Sequence, residues 1–234
     1  MKLFLILAAV IPALILLIQV YRADHLEKEP LSLLLSLILC GVLATALATL
    51  TEQGGYLLLS VLLGQDHRYF EILLYFVVVA ASEEGFKYLL LRWRTWRSPH
   101  FDCSFDGVVY AVFLSLGFAL WENIHYVLNF GFSAALARAV TAVPGHACFG
   151  VFMGTWYGCA KRWSMHRQEA RSVLARWMAF LLPAGLHGVY DYFAITQLAE
   201  LIWLFLLFIV VLFLVSALLV RFLSGKDGYL DDPG

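Results

Sequence analysis

The stretch YFVVVAASEEGFKYLLLRW, from Tyr75 to Trp93, is almost wholly apolar, yet three ionisable side chains interrupt it. These are Glu83, Glu84 and Lys87. A charged side chain at the centre of a bilayer costs about 2.5–3.5 kcal/mol on insertion scales, so such residues are rare and usually face the interior of a helix bundle. The stretch therefore predicts a membrane helix with a functional polar face. Other helices must pack against this face to shield it from lipid.

The composition of the whole chain indicates a membrane protein. Hydrophobic residues make up 62% of the 234 residues, charged residues make up only 14%, and the mean hydropathy is +0.81. The net charge is −1 and no basic stripe is interleaved with aromatic residues, so no nucleic-acid partner is expected. None of the four cysteines forms a CxxC spacing, which favours small buried side chains over a disulfide framework.

Seven membrane-spanning helices are expected, and with them an all-α polytopic membrane fold, because the apolar runs are close to 20 residues long. The first run follows a single Lys2 and has no clear cleavage site after it, so we interpret it as a retained span rather than a secretory signal. Residues 51–68 contain Gly54 and Gly55 and form either a re-entrant or interfacial piece or an extension of the second helix. The predicted spans are 3–21, 31–50, 69–91, 106–128, 134–159, 175–195 and 197–221.

The chain is expected to form one transmembrane domain over residues 1–222, followed by a polar, disordered tail at 223–234. Twelve Lys and Arg residues fall in loops on one side of the predicted bundle, and three fall on the other side. The positive-inside rule then places the C-terminus in the cytoplasm and the N-terminus outside. These features predict a multi-pass protein of the cell membrane, in contact with the lipid bilayer.

Polar residues lie inside the third to sixth predicted spans, and we expect them to meet in one intramembrane site. Glu83 and Lys87 are four residues apart on one helix face, which predicts an ion pair. The same spacing lets Asp191 hold the His187 imidazole or point with it at a metal. One lysine cannot neutralise four carboxylates, so some of them must be protonated, bind a cation or contact water. The whole set is Glu83, Glu84, Lys87, Glu122, Asn123, His125, His146, His187 and Asp191.

These residue types suit hydrolysis by an activated water molecule. A buried carboxylate can act as the general base, and a metal held by histidine and carboxylate ligands can make its bound water more acidic. No covalent nucleophile competes, because Ser82 lacks a GxSxG context, Ser115 stands alone and Cys148 has no established geometry with a base. The HExxH motif of zincins is absent as well.

The order of these motifs resembles that of the PrsW family of intramembrane proteases, part of a wider group with the CAAX prenyl proteases and the bacteriocin-immunity-type membrane proteases. The resemblance covers about residues 69–195, and the matching stretches are EEGFK (83–87), FDGVVY…LGFALWEN (105–123), RAVTAVPGH (138–146) and HGVYD (187–191). It implies an endopeptidase that cleaves a membrane-anchored protein, either single-span or lipidated. In such families the substrate includes anti-sigma factors, which are cut at site 1.

The resemblance also implies roles for the catalytic set Glu83, Glu84, Glu122, His187 and Asp191. Glu83 or Glu84 would activate the water molecule, and Glu122 would assist by accepting a hydrogen bond from it or by positioning it. His187 and Asp191 would stabilise the oxyanion or ligate a metal, with His146 as a further ligand or donor. The candidate metal ligands are therefore His146, His187, Glu122 and Asp191, and zinc is the candidate ion. The residue types fit a metal-free glutamate protease equally well, and Glu122 stands where the prenyl proteases carry a histidine.

Two other classes of protein stay open at this point. An ion- or proton-coupled transporter also uses buried carboxylates and histidines on adjacent helices, although no inverted repeat is visible in the sequence. A di-iron enzyme needs two Glu-x-x-His motifs, and only Glu122 and His125 form one. A single histidine in an apolar helix is more often a packed core residue, and we expect that of His125.

Overall fold

The computed structural model describes residues 2–195 and 202–231, and over these ranges the chain is helical without a β-sheet. A π-helical segment, Leu74–Ala80, joins α3 to α4 and is called the π segment below. The all-α architecture predicted from the apolar runs is therefore confirmed. The helices are α1 (Lys2–Ala23), α2 (Leu31–Leu63), α3 (Phe70–Leu73), α4 (Ala81–Thr95), α5 (Asp106–Phe130), α6 (Phe132–Val140), α7 (Ala142–Met165), α8 (Glu169–Ile195) and α9 (Ile202–Gly225).

Six helices among the described residues are long and apolar enough to cross a membrane, counting the run from α6 to α7 as one. The predicted third span, 69–91, lies in the run from α3 through the π segment to α4, in which each piece is shorter than 18 residues. The expected count of seven spans therefore stays a prediction. The start of the predicted last span, 197–201, lies outside the described residues.

Residues 51–63 extend the second helix and do not form a re-entrant piece, because α2 runs for 33 residues through Gly54 and Gly55 to Leu63. At about 1.5 Å per residue such a helix is about 50 Å long, which exceeds the thickness of the hydrocarbon core of a bilayer. The helix must therefore tilt within the membrane or extend beyond its surface. Gly55 lies against the π segment, where a Cβ atom would come within 2.5 Å of Val78 Cγ1. This close approach holds the second half of α2 beside the polar residues of the bundle.

Helix α5 lies at the centre of the bundle, and glycines allow its backbone to approach its neighbours directly. A Cβ atom on Gly117 would lie 2.3 Å from the carbonyl oxygen of Ile38 on α2. A Cβ atom on Gly154 of α7 would lie 2.4 Å from the carbonyl oxygen of Gly107 on α5. Small residues at helix contacts are typical of membrane bundles, where close van der Waals packing drives helix association. Helices α2, α5 and α7 are thereby fixed around one interior.

The C-terminal tail is ordered over its described residues, so the expected disorder of 223–234 is wrong there. Helix α9 continues to Gly225, and Leu230 is fully buried. The Leu230 N–H donates to the Asp102 carbonyl (2.7 Å), and the Phe105 N–H donates to the Asp227 carboxylate (2.8 Å). The polar composition of the tail predicts disorder, but the buried Leu230 side chain and the backbone hydrogen bonds of the tail are enough to order it. Residues 232–234 lie outside the described ranges.

The segments rich in Lys and Arg meet at one end of the bundle, which we call the basic end. The Ser224 hydroxyl near the end of α9 donates to the Ala23 carbonyl at the end of α1. Lys161 on α7 donates to the Trp96 carbonyl just after α4 (2.8 Å). The packing therefore brings together the loops that the charge count had placed on one side.

Two buried carboxyl groups at the basic end should make the stability of the protein depend on pH. Asp24 is fully buried, and neither of its carboxyl oxygens has a hydrogen-bond partner among the described residues. Burial raises the pKa of Asp24 to about 6 and the pKa of Glu29 to about 7. In the unfolded chain both groups ionise near pH 4, so between about pH 4 and 7 the folded state keeps protons that the unfolded state has lost. The free energy of unfolding should therefore decrease as the pH rises through this window.

The measurement is the melting temperature of the purified protein at pH 5 and at pH 8. We expect a lower value at pH 8, and a smaller difference between the two pH values in the Asp24→Asn and Glu29→Gln variants. Glu71→Gln, an exposed position on α3, is the matched control and should keep the wild-type difference. A pH-dependent loss of stability that is equal in all four proteins would exclude these two carboxyl groups as its source.

Candidate active site

A cavity of about 620 Å³ lies between α2, the π segment, α4, α5, α6, α7 and α8. Phe118 and Phe149 contribute apolar walls. The cavity lies away from the basic end, because Glu122 is near the end of α5 and His146 is near the start of α7. Its ionisable lining residues are Glu52, Glu83, Glu122, His125, Arg138, His146, His187 and Asp191, with the tyrosines Tyr75, Tyr126 and Tyr190.

Lys87 lies directly behind the cavity and connects two of the predicted site residues. Its Nζ donates to Glu84 Oε1 (2.7 Å) and lies 3.0 Å from His146 Nδ1. The predicted pair with Glu83 is present but longer, with 3.7 Å between Lys87 Nζ and Glu83 Oε2. The side chains of Glu84 and Lys87 are fully buried, and the ammonium lies 4.0 Å from the centroid of the Phe118 ring. The lysine therefore compensates mainly Glu84, three residues earlier on the helix.

The imidazole of His187 lies among three carboxylates. Its Nδ1 is 2.8 Å from Glu84 Oε1, and its Nε2 is 3.4 Å from Asp191 Oδ2 and 3.8 Å from Glu83 Oε2. The predicted contact between His187 and Asp191 is thus confirmed. The Phe149 ring stacks on the imidazole with 4.8 Å between centroids. Contacts on both nitrogens and on one ring face fix the orientation of this histidine.

His146 is held between Lys87 and Glu122. A lysine ammonium can only donate, so His146 Nδ1 accepts from Lys87, and Nε2 then carries the proton that it donates to Glu122 Oε2 (2.9 Å). The same Glu122 oxygen lies 2.8 Å from Arg138 Nη2. This chain of contacts fixes the imidazole tautomer and places a guanidinium group at the edge of the cavity.

Sequence reasoning missed two charged residues of the cavity. The charge count places Arg138 outside the site, but on α6 it contacts Glu122, and it also donates to the Asn123 side chain (3.2 Å). Glu52 lies in the segment 51–68, for which the sequence alone does not decide between a re-entrant or interfacial piece and an extension of the second helix. A signal for it existed, because Thr45, Thr49 and Glu52 follow an i, i+4, i+7 spacing, and all three line the cavity.

The structure corrects the expectation for His125, which had been assigned to the packed core. Its side chain is exposed and lines the cavity, three residues after Glu122. One helical turn separates these two residues, so both face the same side of α5. The histidine therefore belongs to the rim of the cavity.

Four buried residues fit a metal ion, namely Glu83, Glu84, His146 and His187. One ligand atom from each lies within 4.8 Å of the others. The Oε2 atoms of Glu83 and Glu84 have no hydrogen-bond partner in the described part of the chain, and carboxylate oxygen with imidazole nitrogen is a donor set that zinc accepts. Of the ligands expected from the sequence, Glu122 and Asp191 instead contact the Nε2 atoms of the two histidines.

Comparison with known proteins identifies the family. Residues 29–218 match the family described as PrsW family intramembrane metalloprotease. The chain is 32% identical over 221 residues to the protein named Protease PrsW from Clostridioides difficile (strain 630), covering 92% of this chain and 90% of that protein. It is 36% identical over 193 residues to Protease PrsW from Geobacillus kaustophilus (strain HTA426), covering 82% and 80%.

A third relative, Protease PrsW from Bacillus subtilis (strain 168), is 31% identical over 218 residues, which covers 89% of this chain and 90% of that protein. No solved structure matches the chain significantly. The matched range spans all the helices that line the cavity. The chain therefore belongs to the PrsW family of intramembrane proteases.

Proposed function

We propose that this protein hydrolyses a peptide bond of a membrane-anchored protein, with a water molecule in the cavity as the nucleophile. The observation that supports this most directly is the position of Glu83. Its side chain lines the cavity, and its Oε2 atom has no hydrogen-bond partner among the described residues. A carboxylate in this position can accept a proton from water, which is what peptide hydrolysis requires of a general base.

Glu83 is a better candidate for the base than Glu84. Glu84 is fully buried, does not line the cavity, and already accepts a hydrogen bond from Lys87 while it contacts His187. Its role is to position those two side chains. Within the described part of the chain Glu83 has two longer ion-pair contacts, at 3.7 Å and 3.8 Å, so its carboxylate remains available to water.

The remaining site residues serve the other requirements of peptide hydrolysis. The tetrahedral intermediate needs hydrogen-bond donors near the oxyanion. We assign this role to His187, whose Nε2 faces Glu83 and Asp191 on the cavity side. Glu84 orients the ring through Nδ1 (2.8 Å) and leaves Nε2 on the cavity side beside Asp191, and Glu122 orients the His146 ring by accepting from its Nε2–H.

The same residues suit a metal-assisted reaction, for which zinc is the candidate ion. Catalytic zinc sites take three protein ligands and leave one position for water. His146, His187 and Glu84 would hold the ion in place of the Lys87 ammonium, which otherwise contacts His146 Nδ1 and Glu84 Oε1, and Glu83 would remain as the base beside it. When bound, the ion would polarise the substrate carbonyl and acidify water. Glu122 and Asp191 would then hold the outer nitrogens of the two histidines, as carboxylates commonly do for metal-bound imidazoles.

We further propose that the N-terminus lies outside the cell, that the C-terminus is cytoplasmic, and that cleavage takes place in the outer half of the membrane. The basic end carries most of the Lys and Arg residues, which favours the cytoplasm, and the cavity lies toward the opposite end. A single-span anti-sigma factor cut on its outer side is the substrate that this location and the family membership favour.

The function can be tested with the purified protein in proteoliposomes that contain a single-span test protein. Cleavage sites mapped by mass spectrometry should fall in the outer half of the substrate's span or just outside it. A pH-sensitive dye inside the same vesicles reports proton movement. Dissipation of a pH gradient without any cleavage would instead identify a proton-coupled transporter.

Metal dependence is tested separately by measuring metal content in protein purified without chelator. Near-stoichiometric zinc in the wild type and its loss in both His146→Ala and His187→Ala would support the metal-assisted reaction. A preparation that cleaves the test protein and contains no metal would support activation of water by Glu83 alone.

A further inference from the structure

A second cavity, of about 380 Å³, lies between α4 and α8 at the basic end of the bundle. It shares no residue with the active-site cavity. Both helices that form it also carry site residues, since Glu83 and Glu84 lie on α4 and His187 lies on α8. Its walls include Tyr88, Leu89, Arg92, Arg176, Trp177 and Phe180. We call this cavity the α4–α8 groove.

The α4–α8 groove is positively charged. The guanidinium carbons of Arg92 and Arg176 lie 6.0 Å and 5.5 Å from the centroid of the Trp96 ring, and Lys161 Nζ lies 5.6 Å from it. The carboxylate that pairs with Arg176 is that of Glu169, at 3.5 Å, and the Glu169 side chain is 67% exposed. Arg92 and Arg176 line the groove and Lys161 lies beside them, while the acid paired with Arg176 is largely exposed to water, so the groove favours an anionic occupant.

A polar group inside the groove lacks a partner. Tyr88 is buried, and its hydroxyl group has no hydrogen-bond partner among the described residues. The charged groups that act on this hydroxyl are Arg92 and Arg176. A buried hydroxyl without a partner is unfavourable, whereas an anion between the two guanidinium groups would accept its hydrogen bond. Two arginines and a hydroxyl donor match the oxygen atoms of a phosphate group.

The outer rim of the groove is apolar and faces away from the bundle. Leu89 is 56% exposed and Trp177 is 58% exposed. Both lie near the basic end of membrane helices, the level at which tryptophan and arginine residues contact lipid headgroups. The occupant should therefore combine an anionic head with an apolar body.

We propose that the α4–α8 groove binds an anionic phospholipid, with the phosphate between Arg92 and Arg176 and the acyl chains along Leu89 and Trp177. The Tyr88 hydroxyl donates a hydrogen bond to the phosphate. Such a lipid contacts both α4 and α8 and thereby stabilises their packing. This binding does not depend on the proposed protease reaction, and it is measured without a substrate.

The experiment measures the melting temperature of the detergent-purified protein with added phosphatidylglycerol or phosphatidylcholine of identical acyl chains. We expect phosphatidylglycerol to raise the melting temperature by about 2–4 °C or more, because a ligand that binds only the folded state stabilises it. Phosphatidylcholine and inorganic phosphate should leave it unchanged. The shift should be lost in Arg92→Gln/Arg176→Gln and reduced in Tyr88→Phe, which keeps the ring.

The matched control is Arg97→Gln/Arg171→Gln, which removes two exposed arginines at the same end and should keep the full shift. An equal shift in both double variants would overturn the proposal, since any cationic surface would then suffice. A shift with inorganic phosphate alone, or an equal shift with phosphatidylcholine, would also overturn it. If Arg92→Gln/Arg176→Gln does not fold, Tyr88→Phe decides the question, and an undiminished shift in that variant contradicts the assigned phosphate contact.

Discussion

Glu83→Gln is expected to lower the rate of peptide cleavage by about 10²–10⁴-fold, the range in which a positioned general base contributes. Glutamine has nearly the same shape as glutamate but cannot accept a proton from water. Among the described residues Glu83 makes no hydrogen bond through Oε2, and its ion-pair contacts are long, so the substitution removes little that stabilises the fold. The measurement is the initial rate of cleavage of the single-span test protein, together with the melting temperature of the variant.

Two further variants, Glu84→Gln and Glu71→Gln, serve as comparisons for Glu83→Gln. Glu84→Gln should lower both the activity and the melting temperature, because Glu84 accepts from Lys87 and contacts His187 in the protein interior. Glu71→Gln, the same change at an exposed position, should alter neither. Wild-type cleavage by Glu83→Gln would show that Glu83 is not the base and would turn attention to the other carboxylates of the cavity.

Much of the site could be predicted because helical spacing is a local property. Residues four apart share a helix face, so the contacts of Glu83 with Lys87 and of His187 with Asp191 follow from the sequence once the segments are taken as helices. The cost of burying charge in a membrane then implied that separate helices would bring these groups together. Helical spacing and the cost of buried charge together predict most of the acidic and histidine residues that line the cavity, but not its apolar walls.

The residues that sequence reasoning missed depend on where helices begin and end. Glu52 joins the cavity only because α2 continues through Gly54 and Gly55, which are poor helix formers in water. Arg138 reaches Glu122 only because the chain bends at Thr141 between α6 and α7. In a membrane, unpaired backbone groups are so costly that helices persist through such residues when their neighbours pack against them. Tertiary packing of this kind cannot be predicted from a short segment of the sequence.

The preference of Lys87 for Glu84 over Glu83 is another result of packing. Both acids are within reach along the helix, at three and four residues. Contacts from other helices decide between them, because His146 on α7 and Phe118 on α5 hold the ammonium on the side of Glu84. Glu83 is thereby left facing the cavity. In the proposed reaction the lysine therefore acts indirectly, by engaging Glu84 and leaving Glu83 as the base.

Lys87→Met is expected to destabilise the protein by about 3–5 kcal/mol, the usual effect of removing one partner of a buried ion pair. Methionine is similar in length and apolar, so it fills the space but leaves Glu84 without its cation and His146 Nδ1 without its donor. A change of this size lowers the melting temperature by about 2–4 °C for each kcal/mol in a chain of this length. The control is Lys226→Met, at an exposed position in the tail, which should have little effect.

The decisive comparison is the double variant Lys87→Met/Glu84→Gln. If the large effect of Lys87→Met arises from an uncompensated carboxylate, then removal of the charge on Glu84 should restore part of the lost stability, and the two substitutions should be strongly non-additive. Additive effects would mean that Lys87 stabilises the bundle through its contacts with His146 and Phe118 rather than through Glu84. In that case the lysine would not separate the roles of the two glutamates, and the assignment of Glu83 as the base would rest only on its exposure to the cavity.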